Sequence, residues 1–284
     1  MTRLRRFGKR RPLLAAAIAV ALVMGLMLSP ALVFGTTDVT NGTGRIEILV
    51  TPSAVVFQSA AALLALAIVW LLGWGRESTL LSRSDPEGLK LSAWFNGPLL
   101  LFFALIAVSA LQFPRYSDTD TRLVLTLLFS LAVGITEEVL FRGVLMHGVR
   151  SRVSAGRALV ICALAFAVAH AMNALWGQSP LLTAQQIGFT FTFGALLGAI
   201  ALQTASLWPV IVLHALWDAI VIGGQLIDQA AVQGTPPETA AAPPDMTAGA
   251  LGITAGVIAL LGVLALVVYR RWRKRVPASA IRRA

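Results

Sequence analysis

Long apolar runs alternate with short polar segments along the whole of this 284-residue chain. A helix needs about 20 apolar residues to cross the ~30 Å hydrocarbon layer of a bilayer. Eight stretches meet that length: Leu13–Phe34, Ser53–Trp74, Phe95–Phe113, Leu123–Leu145, Ala158–Leu175, Gln186–Leu202, Leu207–Ile227 and Thr247–Val268. From Ala158 to Trp217 there is no Asp, Glu, Lys or Arg at all, which leaves room for two spans and most of a third. The pattern predicts an all-α fold, a polytopic membrane bundle of about eight transmembrane helices.

Composition excludes a soluble reading. Hydrophobic residues make up 57% and charged ones 13%, about half the charged share of an ordinary globular domain. The net charge of +10 suggests nucleic acid until its placement is considered. Basic residues crowd Arg3–Arg11 and Arg270–Arg283 and flank the uncharged runs, with no aromatic-interleaved basic face of the kind that stacks bases. With the N-terminus inside, nineteen basic residues fall on the cytoplasmic side. Only Arg45, Arg115 and Arg122 fall outside, and Arg142 lies within a span. Such a split predicts both termini in the cytoplasm of a multi-pass protein of the cell (inner or plasma) membrane.

The chain therefore divides into two anchoring helices with a cytoplasmic loop (1–94), a core (95–227), an outside Pro/Ala-rich loop (228–246) and a last span with a basic tail (247–284). Nothing in the composition of the first two and the last spans assigns them a role. The first span also reads as a signal peptide, with Ser29-Pro30-Ala31 as its cleavage site; alternatively, Pro30 ends a helix there. Gly194 and Gly198 form a Gly-x-x-x-Gly face suited to close helix packing. Cys162 is the only cysteine, lies in an apolar stretch and reads as core filler.

Ionisable groups inside a bilayer cost several kcal/mol or more and usually mark function. They gather in three spans here: Glu137, Glu138 and Arg142 in the fourth, His170 in the fifth, His214 and Asp218 in the seventh. Counted from the cytoplasmic ends of the spans, Glu137, His170 and His214 lie roughly 10–18 Å deep, which predicts one shared site. His147 falls where the fourth span meets the cytoplasm and reads as interfacial.

Glu138 and Arg142 are four apart with the acid first, the favourable order for a helical ion pair. Glu137 points about 100° away around the helix and is expected to face the reaction centre. Near two histidines it could take a proton from water and pass it to a leaving amine. The histidines could hold a divalent metal such as zinc, or donate hydrogen bonds to an oxyanion. Asp218, one turn after His214, could orient that ring or join a coordination shell. Each piece alone has a bland explanation, a helix–helix hydrogen bond or a structural ion pair; the convergence of three helices is what favours a site.

Glu137-Glu138-Val139-Leu140-Phe141-Arg142-Gly143 resembles the EExxxR element of the CAAX-protease and bacteriocin-processing family of intramembrane metallopeptidases. Phe166-Ala167-Val168-Ala169-His170 is similar to its FxxxH element, and His214-Ala215-Leu216-Trp217-Asp218 to its HxxxN/D element. The approach Leu202-Gln203-Thr204-Ala205-Ser206-Leu207-Trp208-Pro209 is similar as well, so the resemblance runs from about Leu123 to Ile227. It implies an intramembrane endopeptidase in which Glu137 activates water, His170 and His214 complete the site as catalytic groups or metal ligands, and Glu138 and Arg142 support it. Asp218 stands where many members have Asn, which suits a cation better than an oxyanion.

The resemblance implies a membrane-embedded or membrane-associated peptide substrate, in CAAX-type processing or peptide maturation, and no nucleic acid. Two other readings are open at this level: a non-catalytic bacteriocin-immunity or binding protein, and a proton-coupled transporter. The chain has no His-Glu-x-x-His run, no Gly-x-Ser-Gly and no Gly-x-Gly-Asp, so other intramembrane peptidase types fit poorly.

Overall fold

The computed structural model describes residues 2–34, 50–112, 119–233 and 248–276, and every regular element among them is a helix. A short basic helix α1 (Arg3–Arg10) leads into α2 (Pro12–Phe34), followed by α3 (Pro52–Leu72) and α4 (Pro86–Gln112). The next run is continuous through α5 (Thr119–Glu137), a π-helical stretch (Glu138–Leu145) and α6 (Met146–Arg150). Then come α7 (Ala155–Ala171) with a 3-10 turn (Met172–Trp176), α8 (Pro180–Thr204), α9 (Trp208–Gln233) and α10 (Ala248–Arg275).

Six of these stretches are long and apolar enough to cross a membrane: Pro12–Ser29, Pro52–Leu72, Thr121–Arg150, Ala155–Trp176, Pro180–Thr204 and Thr254–Arg275. That is two fewer than the pattern predicts. The apolar part of α9, Trp208–Gly224, is shorter than the others. α4 carries Glu87 and Lys90 in its first turns and Pro98 in its interior.

Two boundaries differ from expectation. Pro30 does not end a helix, because α2 runs on to Phe34. A proline lacks the N–H that would bond the carbonyl four residues back, and here the Ser29 hydroxyl donates to that carbonyl, Leu26 O, at 2.7 Å. Serine side chains commonly satisfy carbonyls freed in this way inside membranes. α9 continues to Gln233 because residues 228–233 contain no helix breaker, the first being Gly234. The rest of the expected loop from Asp228 to Asp245 lies outside the described residues.

The run from α5 to α6 sits at the centre, with α2, α3, α7 and α9 around it and α8 and α10 beyond α7. Two features bring α5 and α9 together. A Cβ added at Gly134 would lie 2.9 Å from Ile211 O and 3.2 Å from Ala215 N, so only glycine lets the α9 backbone approach. In addition, α9 begins deep in the bundle. The turn before it, at Ser206 and Leu207, is wholly buried beneath the α3–α4 loop, with Leu207 N donating to Thr79 O at 3.4 Å and Asp85 N to Thr204 O at 2.8 Å. Cys162 is buried in the core, as its apolar setting predicts.

Gly134→Leu is expected to force α5 and α9 apart and to cost about 1–3 kcal/mol of stability, the usual range for overpacking. Gly25→Leu, where nothing lies within 4 Å of an added Cβ, is expected to leave unfolding unchanged. Thermal unfolding of both variants in detergent checks the contrast.

Candidate active site

Glu138 has no exposed surface, and its Oε1 accepts two hydrogen bonds. One comes from Arg142 Nη1 at 2.8 Å, the pair anticipated from the four-residue spacing. The other comes from His214 Nδ1 at 2.7 Å, from a helix 76 residues further on. The second bond was not foreseen: sequence spacing speaks of partners on one helix and is silent about those across a bundle. Arg142 also donates from Nη2 to Gly194 O at 3.1 Å. A Cβ at Gly194 would meet that guanidinium at 3.0 Å and the Phe166 ring at 3.0 Å. The close-packing role expected of Gly194 thus takes a specific form, since its missing side chain makes room for the arginine.

Phe166 is the hub of the FxxxH element. Its ring lies beneath Arg142, with the guanidinium carbon 4.3 Å from its centroid, a favourable cation–π distance. The same ring meets Phe141, His170 and His214 edge-on at centroid distances of 5.2, 4.5 and 5.9 Å. Its carbonyl holds His170 Nδ1 at 2.9 Å. A ring nitrogen on a carbonyl carries the proton, so His170 has Nε2 left for other chemistry.

His214 likewise has Nδ1 occupied, and its Nε2 lies 3.5 Å from Glu137 Oε2 and 3.6 Å from Asp218 Oδ2. Glu137, His170, His214 and Asp218 all line one cavity of about 770 Å³. Glu137 Oε2 is buried without a hydrogen-bond partner. Adjacent acids in the chain therefore have different circumstances, one tied down by two hydrogen bonds and the other with an oxygen that makes none, beside the cavity and 3.5 Å from His214. Glu138 Oε2 also lacks a partner, but that residue is fully enclosed.

Counted from the observed helix ends, Glu137 lies about 20 Å from Arg150, His170 about 22 Å from Ala155 and His214 about 9 Å from Trp208. The three meet not because the helices are level but because α9 starts inside the bundle. His147, read as interfacial, packs edge-on against Trp74 at 4.6 Å.

Several cavity groups escaped sequence reasoning. Phe189, Phe193 and Trp217 form an aromatic wall, with Phe189 stacked on Phe193 at 5.5 Å and on Trp217 at 5.3 Å. Their spacing, four apart on α8 and three after His214, was the available signal. Gln58 of α3 donates to Thr136 Oγ1 at 3.2 Å, next to Glu137. Met24 and Met27 of α2 and Thr254 of α10 complete the walls, so the first two and the last spans shape the cavity.

His170 Nε2, His214 Nε2 and the carboxylates of Glu137 and Asp218 are chemically suitable zinc ligands. Among the described residues, however, no three His, Cys, Asp or Glu side chains are grouped closely enough to hold an ion. The donor set as arranged does not fit a bound metal, and no step below runs through one.

Residues 119–220 match the family model described as type II CAAX prenyl endopeptidase Rce1-like. That segment contains Glu137, Glu138, Arg142, His170, His214 and Asp218, and it agrees with the family resemblance carried by the three motifs. No curated protein and no solved structure matches the chain. The family match implies a protease, and with six helices able to cross a membrane the chain is a multi-pass membrane protein.

Arg142→Ala is expected to destabilise the fold by about 3–5 kcal/mol, because it strips a buried carboxylate of its guanidinium and leaves it His214 alone. Arg142→Lys is expected to restore only part of that loss, since one ammonium cannot reproduce the guanidinium fork between Glu138 and the Gly194 carbonyl. Melting temperatures of the two purified variants against wild type test both statements.

Proposed function

We propose, taking the peptidase family match as the premise, that this chain is an intramembrane endopeptidase in which Glu137 activates water. The observation that carries the reading is the unpartnered Glu137 carboxylate oxygen beside a cavity lined by two histidines. Glu137 removes a proton from a water molecule as its oxygen attacks the scissile carbonyl carbon. His214, from Nε2, donates to the oxyanion that forms. His170, with Nδ1 held by Phe166, offers Nε2 as an acceptor that orients the water. When the C–N bond breaks, Glu137 returns the proton to the leaving nitrogen. Glu138 and Arg142 hold His214 in place and touch neither substrate nor water. Asp218 supports the His214 ring from its open side.

The substrate in this reading is a membrane-embedded or membrane-associated peptide, consistent with the apolar and aromatic cavity walls. The assembly in the membrane is the eight-span arrangement, with α4 and α9 as the remaining spans and both termini in the cytoplasm of the cell membrane. The distribution of basic residues supports that orientation. A peptidase family match favours hydrolysis over the immunity and transporter readings.

Glu137→Gln is expected to lower cleavage of a membrane-peptide library by at least about 10²-fold, the low end for loss of a general base, with expression and membrane insertion intact. Cleavage at the wild-type rate by pure Glu137→Gln contradicts the mechanism. Because the donor set does not enclose an ion, activity is expected to survive exhaustive treatment with a metal chelator. Loss of activity to the chelator, with recovery on adding zinc, would assign the histidines to a metal instead.

A further inference from the structure

The cavity belongs to one end of the bundle. Leu28 comes from the second half of α2, Gln58 from the first third of α3, and His170 from the last turn of α7. Gln186 comes from the first turns of α8 and Thr254 from the start of α10. All five positions line the one cavity, so these helix ends lie on the same side of the molecule. The cavity also extends to Trp176 and Gln178 in the α7–α8 turn, where the chain reaches the surface.

The other end is closed and basic. Beneath the site, Leu140, Val144, Leu207, Val210 and Ile211 are essentially unexposed, packed under the loop that covers the α8–α9 turn. Among the described residues, all the arginines and lysines except Arg122 in the first turn of α5 and the buried Arg142 lie on chain segments at that end, and direct contacts tie them into one face. Arg5 of α1 donates to Trp70 O at the end of α3 at 3.5 Å. Arg275 at the end of α10 pairs with Glu87 at the start of α4, and α2 begins against α6. Positive charge concentrated on one side of a membrane protein marks the cytoplasmic side.

Together these observations fix which way the site faces. We infer that the cavity opens to the non-cytoplasmic face of the membrane, and that it receives a peptide segment already carried across, or anchored in, the outer leaflet. This rests on the peptidase reading only for the identity of the occupant. The mouth has matching chemistry. Asn173 and Gln178 both donate to Gln186 Oε1, at 2.9 and 2.8 Å, which gathers three uncharged amides of the kind that pair with an extended peptide backbone. A chain end offered from the cytoplasm meets the closed, apolar side instead.

The test separates orientation from catalysis. Cys162 is the only cysteine, so Cys162→Ala gives a background without thiols. Into it go Leu175→Cys, on the exposed α7–α8 turn, and Glu77→Cys, exposed on the basic face; neither change removes a positive charge. A membrane-impermeant maleimide added to intact spheroplasts is expected to label Leu175→Cys as fully as it does after detergent, and to label Glu77→Cys only after detergent. Labelling of Leu175→Cys only after permeabilisation overturns the inference.

In a second arm, an acylated fluorogenic peptide library is added to sealed membrane vesicles carrying wild type. Right-side-out vesicles are expected to cleave it, and inverted vesicles only once detergent is added. Cleavage by inverted vesicles alone overturns the inference. If nothing is cleaved even in detergent, the peptidase reading fails, while the maleimide result still decides which way the cavity faces.

Discussion

The arrangement depends on one buried carboxylate oxygen. Glu138 Oε1 takes hydrogen bonds from Arg142 and His214, and the cost of burying that charge is offset only while both partners stay in place. The bond from His214 joins the π-helical stretch after α5 to the second turn of α9, and Arg142, paired with Glu138 inside that stretch, extends the link to α8 through the Gly194 carbonyl. Phe166 of α7 is drawn in beneath the guanidinium. Four helices are thereby set relative to one another at the depth where chemistry is proposed. The neighbouring Glu137 stays outside this lock, with Oε2 free of hydrogen bonds and 3.5 Å from His214 Nε2.

Polar groups that lock and polar groups that act are thus separated by one position in the chain. A π-helical turn begins at Glu138, and such turns are frequent at functional sites. On the enclosed side Glu138 Oε1 and the Arg142 guanidinium are held by hydrogen bonds, while the groups on the cavity side each keep one atom without a hydrogen bond: Glu137 Oε2, His170 Nε2 and His214 Nε2. A site built in this way is pre-organised, since the groups that position the reacting atoms are fixed before any peptide arrives.

Much of this was legible in the sequence. The long apolar runs gave a helical membrane protein, and buried charge on three separate spans gave a common site, because a bilayer penalises every such group that has no purpose. The Glu138–Arg142 pair followed from spacing on a single helix. Contacts between helices did not follow. Nothing local to His214 says that its Nδ1 reaches Glu138, and nothing near Gln58 or Met27 says that they face the cavity. The apolar run gave no sign, either, that α9 starts inside the bundle under a loop, with Leu207 N bonded to Thr79 O. Pro30 was misleading because a serine hydroxyl one residue earlier replaced the hydrogen bond that the proline lacked.

The central claim is that adjacent acids divide the work, Glu138 holding the bundle and Glu137 standing free. Comparing the melting temperatures of Glu137→Gln and Glu138→Gln in the same detergent tests that division most directly. The account predicts that Glu137→Gln melts close to wild type, because Glu137 takes part in none of the hydrogen bonds that lock the helices together. It predicts that Glu138→Gln melts well below, having weakened two buried bonds. Equal melting of the two variants, or the reverse order, contradicts the account.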